Sequence, residues 1–398
     1  MICISRKEEC CGCYGCVQVC PMKCVSMIED KEGFFYPQVE TLKCINCGLC
    51  EKICPIKKNN GSKETRRIVL AGYSKDDNIR QNSSSGGIIS HILENWIKNQ
   101  GIVYGVILND NLEVVHDRIN CIDDLYKLRG SKYVESKINH IYLRIKEDLE
   151  NDNKVLFVGT PCQVVGLKNF LEKDVENLCT IDFICHGVPS SKVWEMNKKN
   201  RGKKENNELK RVDFRNKING WREFHIRYEY EQGEEYLYHQ DDLYMKLFLN
   251  NIILRPSCYE CKFREMDRVS DITVGDFWGV EKYMKDDDGG MSLIVVHSTK
   301  GDCLIEDIKN KLVLKKVNDK LEEIIKKDIE KNISVPRERS SFFGDIDDLR
   351  YDVLVNKYCK MNYQQKIIRL LKSIGMYKLV KSIYLVIFKA FNKEIRLE

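Results

Sequence analysis

The sequence predicts a mixed protein: α+β in a small N-terminal module, α/β with a mixed sheet in a larger core, and a helical C-terminal tail. Three observations carry that expectation. One cysteine pattern occurs twice within the first 54 residues. From residue 68 onward, short apolar runs rich in Val and Ile alternate with segments of helical apolar spacing. The last residues form a basic segment of amphipathic pattern. The predicted division is 1–60, 66–150, 151–345 and 346–398.

The N-terminal pattern is Cys10-x2-Cys13-x2-Cys16-x3-Cys20-Pro21, and it recurs 34 residues later as Cys44-x2-Cys47-x2-Cys50-x3-Cys54-Pro55. Two-residue gaps let one tight loop present three sulfurs to one face of an iron–sulfur cubane, and the fourth Cys reaches the other cube of a pair. Cys10, Cys13, Cys16 and Cys54 are thus expected to hold one [4Fe–4S] cluster, and Cys44, Cys47, Cys50 and Cys20 a second. Zinc ribbons instead present two Cys-x2-Cys pairs. Disulfides need an oxidising compartment, and the opening Met-Ile-Cys-Ile-Ser-Arg does not resemble an export signal. Between the repeats, Val25–Ile28 and Phe34–Gln38 flank Asp30-Lys-Glu-Gly33, a β-hairpin with a Gly-closed turn. Repeat plus hairpin is the architecture of a bacterial two-cluster ferredoxin. Cys3, Cys11 and Cys24 are surplus and read as partly buried thiols.

Totals bound the rest. The chain has 398 residues, 43% hydrophobic and 31% charged, enough for two or three domains. A net charge of +5 over that length does not mark a nucleic-acid binder. No apolar run approaches the roughly 20 residues of a membrane-spanning helix. Eleven of the 19 cysteines fall before residue 55, which points to metal ligation in a reducing cytoplasm.

Lys57–Arg67 reads as a linker, and Ile68–Tyr73 as the first core strand. Ser84, Ser85, Gly86 and Gly87 precede a helix over Ile88–Ile97; they either offer backbone N–H groups to an anion or simply cap the helix. Strands follow at Gly101–Leu108 and Leu112–His116, a helical piece at Ile122–Leu128, and then Arg129, Gly130, Ser131, Lys132 and Tyr133. Those groups suit a phosphate and a stacked ring. A helix is expected over Asn139–Glu150 and a buried strand over Lys154–Val158. That strand runs into a sharp turn, Gly159-Thr160-Pro161-Cys162. Leu178–Ile184 repeats the layout and ends at Cys185, before a helix at Ser191–Lys199. In α/β sheets, sites collect at the carboxyl edge. Cys121 and Cys179 read as buried structural thiols. Strands at Val212–Arg215 and Phe224–Tyr230 and a helix at Asp241–Asn250 lead to Cys258-x2-Cys261, a pair suited to zinc, redox exchange or half a cluster. With Cys162 and Cys185 it supplies four thiolates, enough for a third cluster. Ser270–Gly279 is a strand turning on Gly275 and presenting Asp276 and Trp278. Lys285–Gly290 is a solvated Asp-rich turn. Ser292–His297 is a strand and Asn318–Asn332 a charged helix. Residues 361–398 carry eight Lys/Arg against two Asp/Glu, a composition that suits either an anionic membrane surface or packing on the protein.

Taken in order, Ser84-Ser-Gly-Gly87, Arg129-Gly-Ser-Lys-Tyr133, Gly159-Thr-Pro-Cys-Gln163, Ile184-Cys-His-Gly-Val-Pro189, Arg255-Pro-Ser-Cys-Tyr-Glu-Cys261 and Asp271–Gly279 resemble the coenzyme F420 hydrogenase/dehydrogenase beta-subunit family, joined to an N-terminal two-cluster ferredoxin domain. The resemblance spans about residues 66 to 300. It implies an α/β core that binds FAD and one [4Fe–4S] cluster. It makes Cys162, Cys185, Cys258 and Cys261 the expected ligands of that cluster. Ser84–Gly87 and Gly130–Tyr133, with Gly159 and Thr160, become the expected flavin contacts. Tyr133, Asp276 and Trp278 are candidates for shaping the substrate pocket or moving a proton.

The expected function is that of a cytoplasmic iron–sulfur flavoprotein oxidoreductase, with the tail as a peripheral membrane contact. Electrons would pass between a ferredoxin-like carrier, the clusters, FAD and a small organic substrate, either an F420-like deazaflavin or another metabolite. The alternative is an electron-transfer subunit serving a separate catalytic partner. No nucleic-acid partner is expected.

Overall fold

The computed structural model describes residues 1–58, 67–205, 207–283, 285 and 287–359. Most of the expected linker and the basic segment 361–398, with its proposed membrane contact, lie outside the described residues.

The N-terminal module is built by its repeat. In both copies the residue before the second Cys and the residue after it adopt left-handed backbone: Gly12 and Tyr14 at φ 70° and 60°, Asn46 and Gly48 at φ 52° and 76°. Two such residues curl the chain round its own sulfurs before a short helix begins. Those helices are α1 (Gly15–Val19) and α2 (Leu49–Lys52). Between them β1 (Val25–Glu29) and β2 (Phe35–Val39) pair antiparallel, with Val25 opposite Val39. Gly33, at φ 85°, closes the turn, and Asp30 Oδ1 accepts from the Glu32 and Phe34 N–H groups. The expected hairpin is present.

The core follows the predicted alternation closely. Its elements are β3 (Ile68–Ser74), α3 (Asp77–Gln81), α4 (Ile88–Lys98), β4 (Ile102–Leu108), β5 (Val114–Ile119), α5 (Ile141–Glu150), β6 (Val155–Gly159), α6 (Pro161–Leu171), β7 (Leu178–Phe183) and α7 (Ser191–Glu205). Then come β8 (Leu209–Asn216), β9 (His225–Tyr230), β10 (Glu234–Tyr238), α8 (Leu243–Leu249), α9 (Pro256–Tyr259), β11 (Ile272–Asp276), β12 (Ser292–Val296), α10 (Thr299–Glu306), β13 (Leu312–Lys316), α11 (Asp319–Ile329), α12 (Arg339–Gly344) and α13 (Tyr351–Tyr358). Eight strands form one mixed sheet in the order β13-β3-β12-β11-β7-β6-β4-β5. Its centre, β4, β6, β7 and β11, is parallel, and the flanking pairings are antiparallel. Strands from before and after residue 150 therefore share one sheet. Strands β8, β9 and β10 make a second, antiparallel sheet covered by α7 and α8, with Trp194, Phe214 and Tyr244 in a common core.

The hairpin turn is seated on this core. Ser190 Oγ and Ser191 Oγ donate to the carbonyls of Glu32 and Gly33 at 2.5 and 2.8 Å. Arg339, on α12, donates through Nη2 to Glu32 Oε2 at 2.7 Å, and both side chains are buried. Some expectations need correction. Cys121 is exposed rather than buried, because it precedes a surface 3-10 turn, and Cys3 is exposed too. Gly275 lies inside β11 opposite Leu293, and the chain turns at Gly279 (φ 79°) instead. The Asp-rich turn is not merely solvated, since Asp287 takes a two-pronged grip from Arg80 at 2.7 Å.

Candidate metal centres

Two hollows in the N-terminal module are lined by the two sets read from the spacing. One, about 350 Å³ including space open to solvent, is bordered by Cys10, Cys13, Cys16 and Cys54, with Cys11 beside them. The other, of similar size, is bordered by Cys20, Cys44, Cys47 and Cys50, with Cys24 beside them. Each hollow takes three sulfurs from one repeat and one from the other. The sets adjoin, since Cys16 is within electrostatic reach of Cys50. Cys24 is no isolated thiol: its sulfur lies 3.5 Å from that of Cys20.

The third set is assembled by strand register. β6 and β7 are parallel, with Gly159 opposite Asp182, so Cys162 and Cys185 leave the sheet side by side, each three residues farther on. The segment after Cys185 then runs against the one before Cys258. Pro189 bridges Leu254, Arg255 N donates to Val188 O at 2.9 Å, and Val188 N meets Cys258 Sγ at 3.4 Å. Cys258 accordingly lies among Cys185, Cys261 and Cys162. Among the described residues no three ligating groups converge as they would on a single metal ion. A cubane keeps its four thiolates apart on separate corners. Burial pushes the thiols of Cys10, Cys16 and Cys258 upward, and Cys185 to about 12. Thiolates so placed need a cationic core to compensate them. The donor chemistry and the enclosure fit iron–sulfur clusters.

Cys11, surplus in the spacing pattern, joins two of the sets: its thiol lies against both Cys13 and Cys162. Helix α6 closes the same gap, because a β-carbon on Gly166 would lie 3.3 Å from Cys13 Sγ. Arg255 was not singled out by the spacing either. It is fully buried, and its fork reaches Cys10 O at 2.8 Å, Phe35 O at 2.7 Å and Glu135 Oε1 at 2.5 Å.

The expected flavin contacts divide. Ser84 and Ser131 are brought together, with Ser131 N donating to Ser84 Oγ at 2.7 Å. Neither Ser84 nor Ser85 caps α4: the N-cap is Gly87 at φ 88°, and Ser85 Oγ donates to Met291 O. Gly86 is buried against Ser292, whose Oγ accepts from the Gly86 N–H. Gly130 takes φ 78°, and Lys132 spends its ammonium on the carbonyls of Lys127 and Arg129, where burial lowers it to about 7. Gly159 and Thr160 lie apart from the others, packed on Gln163 and, for Thr160, 3.1 Å from Cys162 Sγ.

Tyr133, Asp276 and Trp278 converge on Arg215, a residue that the sequence pattern marked only as the end of a strand. Its Nη1 is ion-paired with Asp276, its guanidinium lies 5.1 Å from the Trp278 ring, and Tyr133 is within its electrostatic reach. Trp278 is half exposed and stacks at 4.4 Å on buried Trp221, whose Nε1 donates to Asp276. Lys217 holds this region together through the carbonyls of Arg80, Ser85 and Gly289. Phe248 links it to the third thiol set: it stacks on Tyr133 at 4.8 Å and meets His186, the neighbour of Cys185, edge-on at 5.1 Å.

The fold and these thiol sets define an iron–sulfur protein in which a ferredoxin module is docked on an α/β core. Residues 69–141 and 152–320 match the N-terminal and C-terminal parts of the coenzyme F420 hydrogenase/dehydrogenase beta subunit, and residues 9–58 match a 4Fe-4S dicluster domain. The chain belongs to the coenzyme F420 hydrogenase/dehydrogenase beta-subunit family, with a dicluster domain at its N-terminal end. It is 37% identical over 76 residues to NADH-quinone oxidoreductase subunit I 2 of Geobacter metallireducens, covering 18% of this chain and 56% of that protein. A 7Fe ferredoxin of Hydrogenibacillus schlegelii is 39% identical over 54 residues, 14% of this chain and 56% of the ferredoxin. The chain thus spans about half the length of these curated relatives. A chain of the xenon-derivatised F420-reducing [NiFe] hydrogenase complex from Methanosarcina barkeri superimposes with a TM-score of 0.46 at 17% identity, over 68% of this chain and 89% of that one.

Proposed function

We propose that this chain is an iron–sulfur flavoprotein oxidoreductase with three [4Fe–4S] clusters, and that it moves electrons between an external one-electron carrier and a small organic substrate. Residues 1–60 act as the carrier-facing module, and 66–150 with 151–345 act together as the flavin-bearing core. The observation that carries this reading is the succession of neighbouring thiol sets. It runs from the second hollow through Cys50 and Cys16 to the first, through Cys11 to Cys162, and from Cys185 by way of His186 and Phe248 to Tyr133.

Clusters exchange single electrons and a flavin converts them to pairs, which is what reduction or oxidation of an organic molecule requires. The chain's own groups then have distinct tasks. Arg215 would face an anionic ring or phosphate, since its Nε and Nη2 are buried without a hydrogen-bond partner among the described residues. Asp276 holds that guanidinium in place, and Trp278 offers a flat face toward solvent. At the opposite end, Leu42 and Ile45 stand exposed near Cys44 and the exposed Cys47, a surface suited to a ferredoxin-like carrier. An F420-like deazaflavin is a planar anionic substrate of the kind the Arg215 and Trp278 pair favours.

The test is anaerobic reduction by a chemically reduced ferredoxin, with flavin bleaching and cluster signals followed together. Wild-type protein should carry FAD and bleach it through the clusters. Cys258→Ser should leave the two N-terminal clusters reducible and slow flavin bleaching at least tenfold. Protein that carries no flavin, or a Cys258→Ser variant that bleaches at the wild-type rate, would defeat the reading.

A further inference from the structure

We propose that the buried Arg255–Glu135 pair sets the reduction potential of the cluster held by Cys10, Cys13, Cys16 and Cys54, and fixes that cluster beside the Cys258–Cys261 segment. This rests on the cluster reading above. An arginine is almost never fully buried unless paired, because its charge loses hydration. Arg255 is fully buried, and its placement is specific. It stands three residues before Cys258, as the N-cap of α9, so its backbone belongs to the third thiol set. Its side chain belongs to the first: Nε donates to Cys10 O, and Nη2 reaches Cys10 Sγ at 3.6 Å as well as Phe35 O.

Two physical consequences follow. A fixed positive charge with an N–H directed at a ligand sulfur favours the more negative, reduced state of the cluster, so it raises the potential. Glu135, which takes Nη1, acts in the opposite sense. Nη2 is the nitrogen that faces Cys10 Sγ, and Arg255 is the charge that acts on that thiol, so the cation dominates. The cations that face the second set are engaged by carboxylates: the Met1 ammonium is paired with Glu51 and Lys43 with Glu40. The N–H groups given to thiols of that set are uncharged backbone groups, Ile2 N meeting Cys50 Sγ at 3.2 Å and those of Met22, Cys24 and Val25 serving Cys20. The charge effect therefore acts on the first set selectively. Gly12 completes the arrangement, since a β-carbon there would come 2.6 Å from Glu135 Oε1 and 2.8 Å from Arg255 Nη1. Arg255 is a positioning residue that works through Cys10 and the cluster it would hold.

The test is redox titration followed by electron paramagnetic resonance on the full-length holoprotein, with iron counted in each preparation. The signal lost in Cys16→Ser identifies the cluster concerned. Arg255→Gln should lower its midpoint, Glu135→Gln should raise it, and Arg255→Lys, which keeps the charge, should stay closer to wild type than Arg255→Gln does. The other two signals should move less. Opposite displacements of one signal are not what loosened packing produces. Midpoints unchanged, or shifted in the same direction by both neutralising variants at full iron content, overturn the proposal. If Arg255→Gln does not fold, Glu135→Gln and Arg255→Lys still decide it. Absence of any Cys16-dependent cluster in the wild type would overturn both this proposal and the cluster reading beneath it.

Discussion

Gly166 offers the sharpest structural prediction, because two opposing effects of known size meet there. It lies within α6, where replacing Gly by Ala at an ordinary position gains about 1 kcal/mol of helix propensity. At this position the added β-carbon would sit 2.9 Å from Tyr142 Oη, 3.0 Å from Cys13 Cβ and 3.3 Å from Cys13 Sγ. Neither neighbour can swing aside. Tyr142 is fully buried and donates to Gln163 O at 2.8 Å, and Cys13 is anchored once its sulfur binds metal. Overpacking of this kind costs about 1–3 kcal/mol, so Gly166→Ala is expected to lose up to about 2 kcal/mol net. For a chain of this size that is a drop of a few degrees in the thermal midpoint. The assay is thermal unfolding of anaerobic holoprotein at one scan rate, followed by loss of the visible cluster band. Gly166→Val should fall further. A Gly166→Ala variant that is more stable than wild type would refute the contact between α6 and the Cys13 loop, and with it the route from Cys13 to Cys162.

Three other expectations are open to direct measurement. Arg339→Leu leaves buried Glu32 with only the longer Lys7 contact at 3.7 Å and should cost about 2–4 kcal/mol, seen as earlier proteolysis of the hairpin turn near Lys31. Leu42→Asp with Ile45→Asp should raise KM for a ferredoxin donor while leaving kcat and the cluster signals unchanged, and a changed kcat would remove that face as the docking surface. Arg215→Leu should raise KM for an anionic deazaflavin substrate without loss of iron, and an unchanged KM would exclude Arg215 from the substrate site.

Much of this was legible in the sequence, because the responsible signals are local. Periodicity located most strands and helices of the core, though not α3, β10, α9, α10, β13, α12 or α13, and the repeated Cys spacing grouped the residues that line the two hollows. What escaped was long-range. The spacing gave no reason to look at Cys11, yet its thiol is shared between Cys13 and Cys162, 149 residues apart in sequence. Arg255 was visible only as part of a motif, and its partner Glu135 lies 120 residues away. Phe248 and Arg215 carry no local signature, since a ring or a guanidinium gains its role from neighbours supplied by other elements. Gly159 and Thr160 were grouped with the flavin contacts by resemblance, whereas strand register places them beside Cys162. Ser85 shows the same limit, because a short polar segment does not reveal which surface will cover it, and Cys121 the converse, since an apolar neighbourhood in sequence did not keep it from the surface.

The central claim is that twelve of the 19 cysteines form three cluster sites in contact with one another. Iron and acid-labile sulfide counted against protein after anaerobic purification test it most directly. Three cubanes require about twelve iron atoms per chain, falling to about eight in Cys258→Ser. A wild-type count of about eight, unchanged by Cys258→Ser, would contradict it.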